Sequence, residues 1–388
     1  MKKEFNLKVL LILSLGHMVV DIYQGALPAT LPFIKEKLGL SYALTGLILV
    51  AANMASSILQ PVFGYFSDRK VMPVLLPLGL LAAGVGYSLI MLPQHFALVL
   101  FLVVISGLGI ASYHPEGYKT AHFFTGKRRA TGMSFFSVGG NLGFAIGPIL
   151  ALAIIEYLGF SSLPLIIAPA LLCTAIIIVY RRTISLPVAS HAEAVKKSAR
   201  QRSVASYIAL GMIIFIVIMR SWTQIGLMTY IPFYYINFLK GSPLFAGKLV
   251  FVFLVCGAAG TLIGAPLADR WGHRFFVRLS MLLSTVTLPL VFIPVVQNSI
   301  LLFFVLGMQG MLLILTFSVT IVMAQKLLPH NLGIASGLLV GFAIGTGGIG
   351  VTLLGVVADH YGVPVALRSI MFIPLMGFIM SLFLRYEG

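Results

Sequence analysis

The chain has 388 residues, 59% of them hydrophobic and 9% charged, with a mean hydropathy of +1.05. A soluble domain carries roughly a quarter charged residues to cover its water-facing surface, so a soluble globular enzyme is excluded and a bilayer becomes the expected solvent. The net charge of +16 could point to nucleic acid, but the basic residues sit between apolar runs, so they orient the chain in lipid and no nucleic-acid partner is expected.

Lys2, Lys3 and Lys8 precede the first apolar run. That run continues through Asp21 to Pro28 without a small-residue cleavage site, so it reads as a retained helix rather than a signal peptide. Twelve runs of about spanning length follow one another. In the first half they cover 8–31, 41–66, 71–92, 96–118, 130–156 and 161–180; in the second, 205–236, 243–268, 274–296, 299–325, 332–358 and 363–384. Lys127, Arg128 and Arg129 share one loop, and Arg181, Arg182, Lys196, Lys197, Arg200 and Arg202 share the long central one. Every second loop is basic, which places both termini in the cytoplasm and the chain in the cell (inner) membrane. The polar stretch 181–204 reads as a cytoplasmic linker between six-helix bundles at 1–180 and 205–388. Cys173 and Cys256 both lie in apolar runs, where packing is their expected role, and they define neither a disulfide framework nor a metal cluster.

The two halves echo each other. Gly64, Asp68 and Arg69 return as Gly264, Asp269 and Arg270; Phe144–Gly147 returns as Phe342–Gly345; Ala130-Thr-Gly132 returns as Ala335-Ser-Gly337. Two six-span halves related by an axis along the membrane normal, with a site near the midplane, form a transporter architecture.

Ionisable residues inside spans are costly and are candidates for function. Asp21 stands about 13 residues into the first span, or ~20 Å along it, near the midplane. His17 lies one turn earlier on the same face. Asp21 is therefore a candidate proton carrier or substrate ligand, the alternative being a structural bond to helix ends unwound near Pro28 and Pro32. His114 and Glu116 flank Pro115 towards the cytoplasmic end of span four, where a His/Glu pair could relay protons; a salt bridge to a basic loop is the alternative for Glu116. Arg220 lies deep in span seven and requires a carboxylate or an anionic ligand, with Asp21 the expected partner. Asn53, Gln60, Asn141, Trp222 and Gln224 are further cavity-lining candidates, with helix–helix hydrogen bonding as their alternative. Glycines in spans five and eleven permit close helix approach. No phosphate-cradling loop is present, so ATP drive is not expected, and no catalytic triad or metal-ligand spacing stands out.

The stretch Gly264-Ala-Pro-Leu-Ala-Asp269-Arg270-Trp-Gly272-His273-Arg274 resembles the signature loop of the major facilitator superfamily, and Gly64–Lys70 resembles its first-half copy, with Met72 at the later glycine position. The resemblance implies twelve transmembrane helices in two pseudo-symmetric bundles and a conformational latch at Gly64, Asp68, Arg69, Gly264, Asp269, Arg270, Gly272 and Arg274. In such a latch an aspartate at a helix end meets arginines and helix N-termini. His17-x-x-x-Asp21-x-x-Gln24-Gly25, Ser56–Arg69, Tyr113-His114-Pro115-Glu116-Gly117, Ser137–Pro148 and Arg220-Ser-Trp222 resemble the fosmidomycin-resistance family of efflux transporters. That resemblance implies proton-driven export of small amphiphilic or anionic toxic compounds, by a protein that is not an enzyme, is expected to be monomeric and uses no cofactor beyond protons. Val103 and Ala151-Leu152 depart from positions where proton antiporters of the superfamily often carry Arg and Gly-Gly. An uptake symporter or facilitator, and a non-transporting sensor on the same fold, remain open.

Overall fold

The computed structural model describes residues 5–70, 72–185, 204–241, 243–297 and 300–386. Among them the chain is helical apart from turns and one isolated bridge between Phe5 and Thr125. Twelve helices run in chain order. They are α1 Leu7–Leu38, α2 Leu44–Arg69, α3 Leu75–Ser88, α4 Phe96–His122, α5 Arg129–Leu158, α6 Phe160–Val179, α7 Ala205–Ile236, α8 Phe245–Trp271, α9 His273–Phe292, α10 Leu301–Leu327, α11 Leu332–Tyr361 and α12 Val363–Phe383. Eleven are long and apolar enough to cross a membrane, and α3 is a shorter apolar helix. Each falls on one of the twelve expected runs, and the chain is a multi-pass membrane protein.

α1 extends past its expected end. The Asn6 side chain caps its start by accepting from the Val9 amide at 3.1 Å, and Gly39 closes it at φ 62° after Lys35 and Lys37. Both features match helix-end preferences, since a left-handed C-terminal residue favours glycine and lysines complement the carbonyl end. Pro28 and Pro32 lie inside this helix and do not end it. The unwinding on which the structural alternative for Asp21 rested is not found there. In a bilayer an interrupted helix exposes backbone groups with no water to take them, so continuity is favoured.

The described residues form two compact units. One comprises Met1–Arg200 and Leu328–Phe342, the other Gln201–Leu327 and Ala343–Gly388. The first part of α11 thus groups with the N-terminal helices, whereas a boundary at the central linker would have left it with the C-terminal ones. The reason lies in its glycines: a Cβ at Gly337 or Gly341 would collide with the backbone of Gln60 or Ser57 on α2, so only glycine permits this approach. The linker at 181–204 lies outside the described residues, apart from its ends.

In the first unit α1 packs most extensively on α5. A Cβ at Gly139, Gly143 or Gly147 would strike the carbonyl of Ser14, Met18 or Ile22 respectively. Glycines four apart on α5 therefore meet carbonyls four apart on α1, the small-residue packing expected where lipid provides no hydrophobic drive between helices. This fit sets Asp21 against α5. In the second unit α8 and α10 pack similarly, with Gly260 and Gly264 under the Met311 and Leu315 carbonyls.

Candidate functional site

The site begins with His17 and Asp21, one turn apart on α1, with His17 Nε2 at 3.4 Å from Asp21 Oδ2. His114 of α4 reaches the other carboxylate oxygen, Nε2 to Oδ1 at 3.0 Å. His17 and His114 are 2% and 3% exposed, and the Asp21 side chain 14%. His17 Nδ1 lies 2.9 Å from the Phe136 carbonyl; a carbonyl only accepts, so this nitrogen carries a hydrogen. The ring stacks on Phe136 at 4.4 Å between centroids and meets His114 edge-on at 4.9 Å. On the far side of His114, Nδ1 lies 3.2 Å from Gln60 Nε2, which also donates to the Ser56 carbonyl at 2.8 Å. Gln60 Oε1 is buried without a hydrogen-bond partner. A Cβ at Gly140 of α5 would overlap His17 Nε2 and Asp21 Oδ2, so glycine there is a condition of the cluster. Of these contacts, the sequence places only His17 beside Asp21. The meeting with His114 is tertiary.

Glu116 does not join His114. Residues two apart on a helix do not share a face, and Glu116, fully buried, pairs instead with Lys119 Nζ at 2.7 Å. Lys119 also donates to the Ser67 carbonyl of α2 at 2.8 Å, and the Ser67 hydroxyl donates to Glu116 Oε2. The expected His114/Glu116 relay pair is therefore two sites on opposite faces of α4. Lys119 and Ser67 are partners the sequence did not single out.

Next to Ser67, Asp68 receives two backbone hydrogen bonds from the start of α11. Gly333 N donates to Oδ1 and Ile334 N to Oδ2, each at 2.9 Å. A carboxylate at a helix N-terminus satisfies orphan donors and the macrodipole together. Gly64 makes room: a Cβ there would collide with the Gly333 carbonyl. Arg69 is exposed and lies over Tyr65 at 4.1 Å. The second copy is built differently. Four residues separate Gly264 from Asp269, against three between Gly64 and Asp68, and Asp269 pairs with His273 at 3.2 Å. Gly272 turns the chain at φ 101° into α9, a conformation glycine adopts without Cβ strain. Arg270 is exposed beside Trp271, and Arg274 is half-buried.

Arg220 of α7 is 2% exposed. Its Nη1 donates to Thr320 Oγ1 at 3.3 Å, and its guanidinium lies 5.1 Å from the Phe317 ring. These neighbours belong to its own unit, just as Asp21 is held by His17 and His114 in its unit. Trp222 Nε1 donates to Thr346 Oγ1 at 3.2 Å. Gln224 is half-buried, Asn53 is exposed, and the Asn141 amide nitrogen is buried without a hydrogen-bond partner.

The sequence profile of the Major Facilitator Superfamily matches residues 13–247 and 213–388. The chain belongs to this superfamily. Over 376 residues it is 34% identical to an uncharacterised MFS-type transporter, YfnC, of Bacillus subtilis, covering 96% of this chain and 91% of the relative. It is 31% identical over 387 residues to the fosmidomycin resistance protein of Escherichia coli, covering 97% and 93%. Among solved structures, the E. coli fucose:proton symporter FucP aligns with a TM-score of 0.72 at 14% identity, over 97% of this chain and 98% of that one. The proton:xylose symporter XylE aligns at 0.70 and 14%, over 97% and 95%. These likenesses establish the fold of the superfamily. Its members are transporters of small molecules.

Proposed function

We propose that the chain exports a small anionic or amphiphilic organic compound in exchange for protons. It would do so by alternating access as a monomer in the inner membrane, with both termini cytoplasmic and no cofactor beyond the coupling proton. The observation that carries this reading is Asp21, a carboxylate about halfway along α1 and held between two buried imidazoles. A carboxylate flanked by imidazoles offers a place to take up and pass on a proton without leaving an unpaired charge in lipid. Buried Arg220 is the corresponding anchor for an anionic substrate, because a guanidinium matches carboxylate and phosphate oxygens in a bidentate fork. The likeness to a fosmidomycin resistance protein supports export and makes fosmidomycin the first compound to test.

Everted vesicles loaded with a pH-sensitive dye provide the experiment. Adding substrate should drive protons out of acidified vesicles in an Asp21-dependent manner. Proton flux in the opposite sense would favour the second reading, uptake symport, which the proton symporters sharing the fold bring forward. Absence of proton flux and of counterflow across fosmidomycin and a panel of other toxic compounds would refute both. Growth inhibition by the same panel, with and without the protein, identifies the substrate.

A further inference from the structure

The sequence shows no metal-ligand spacing, yet the fold gathers a ligand set. His17, Asp21 and His114 each offer one ligand atom, and these atoms lie within 4.8 Å of one another. A tetrahedral ion with bonds of about 2.0–2.1 Å keeps its ligands about 3.3 Å apart. His17 Nε2 and Asp21 Oδ2 already stand at 3.4 Å, and His114 Nε2 and Asp21 Oδ1 at 3.0 Å.

Three further observations bear on the same volume. The Phe136 carbonyl takes the His17 Nδ1 hydrogen, so in the neutral ring Nε2 presents a bare lone pair to Asp21 Oδ2. Two acceptors then face each other in a nearly dry site, an arrangement relieved by a cation between them. The same contact is the outer-sphere bond that fixes the tautomer of metal-bound histidines. Gly140 keeps a Cβ out of the space in front of both atoms. Gln60 Oε1, buried and unpartnered beside His114, is an acceptor available to His114 Nδ1–H once Nε2 turns to a metal.

We infer that His17, Asp21 and His114 form a binding site for one divalent transition-metal ion of the zinc class, with a position left open for a further ligand. Two imidazoles and a carboxylate suit zinc, cobalt or nickel, whereas magnesium and calcium prefer oxygen ligands. The site stands on geometry, and metal titration reads it without any transport measurement.

Cobalt(II), whose visible absorption intensifies on tetrahedral coordination, is the probe, titrated into purified full-length protein free of any affinity tag. One equivalent should bind, be displaced by Zn2+ and be unaffected by Mg2+. His17→Gln and Asp21→Asn should each weaken binding by at least about tenfold, the scale on which even outer-sphere partners act. His360→Asn, an exposed histidine at the end of α11, should change nothing. Thermal unfolding establishes that each variant is folded. X-ray absorption on the Zn2+-loaded wild type gives a reading that needs no variant: two imidazoles and carboxylate oxygen are expected. Absence of binding, an affinity unchanged in the His17 and Asp21 variants, or a different ligand sphere overturns the site.

Discussion

Asp68 offers the most quantitative test of how this fold changes state. Its two oxygens accept from Gly333 and Ile334 at 2.9 Å each. Asp68→Asn keeps one acceptor oxygen, replaces the other with a donor that faces a backbone N–H, and removes the charge that complements the start of α11. The loss is one hydrogen bond to a charged acceptor, about 2 kcal/mol, or roughly 30-fold in the local opening equilibrium. Hydrogen exchange of the peptide spanning Leu332–Ser336 reads this directly. Under conditions where closing outpaces exchange, its first amides should exchange roughly 30-fold faster in the variant. If the bond acts as a latch, transport turnover should change more than substrate affinity measured in detergent, because the bond lies apart from the His17/Asp21/His114 cluster. Unchanged exchange at Gly333 and Ile334 would refute the reasoning, whatever happens to transport.

Lys119→Ala strands Glu116 in the core and should destabilise the protein by roughly 3–5 kcal/mol; Lys119→Met with Glu116→Gln should recover most of it, as thermal unfolding in detergent would show. Gly143→Ala drives a Cβ into the Met18 carbonyl and should cost about 1–3 kcal/mol, typical of overpacking, against no change for Gly348→Ala, where the added carbon meets open space. Arg220→Ala should abolish binding of an anionic substrate, with Arg220→Lys a partial rescue because an ammonium lacks the fork; full activity in Arg220→Ala removes that role. Asp21→Asn should lose proton-driven uphill transport, keep substrate–substrate counterflow, and flatten the pH dependence of substrate binding. A pH dependence that survives rules Asp21 out as carrier.

The twelve helices were legible because bilayer solvent imposes length and apolarity on each span, and the loop at Asp68 stood out through that aspartate and its glycine. Boundaries were less so. α1 runs seven residues past residue 31, to Leu38, because prolines that would end a helix in water are tolerated where the alternative is unsatisfied backbone. The site was half legible. His17 beside Asp21 follows from helical spacing, whereas His114 beside Asp21 depends on how α4 packs against α1, which no local pattern encodes. The expected His114/Glu116 pair shows the opposite error: neighbours in sequence, they occupy opposite faces of α4. The glycines of α5 carried the missing information. Their four-residue spacing fixes α1 against α5, and Gly140, one position off that row, lies where the Asp21 cluster needs room.

α4 connects the two buried charged sites. Through His114 it touches Asp21 and Gln60; two residues later, through Glu116 and Lys119, it grips Ser67, the neighbour of Asp68. α2 carries both Gln60 and Asp68, so the helices that reach the Asp21 cluster also hold the aspartate that caps α11. A change in what His114 donates to Asp21 changes what Gln60 must offer Nδ1, since a neutral imidazole has one donor and one acceptor. Gln60 lies under Gly337 and Gly341 of α11, on the side of α2 that α11 covers. The His114 contact and the packing of α11 thus bear on one short stretch of α2, from Gln60 to Asp68. That stretch follows the π-helical turn Met54–Ile58, a distortion often found at functional positions because it re-aims the residues after it. Adjacency alone does not establish coupling. What it provides is one side chain, Gln60, that touches both His114 and the glycines of α11.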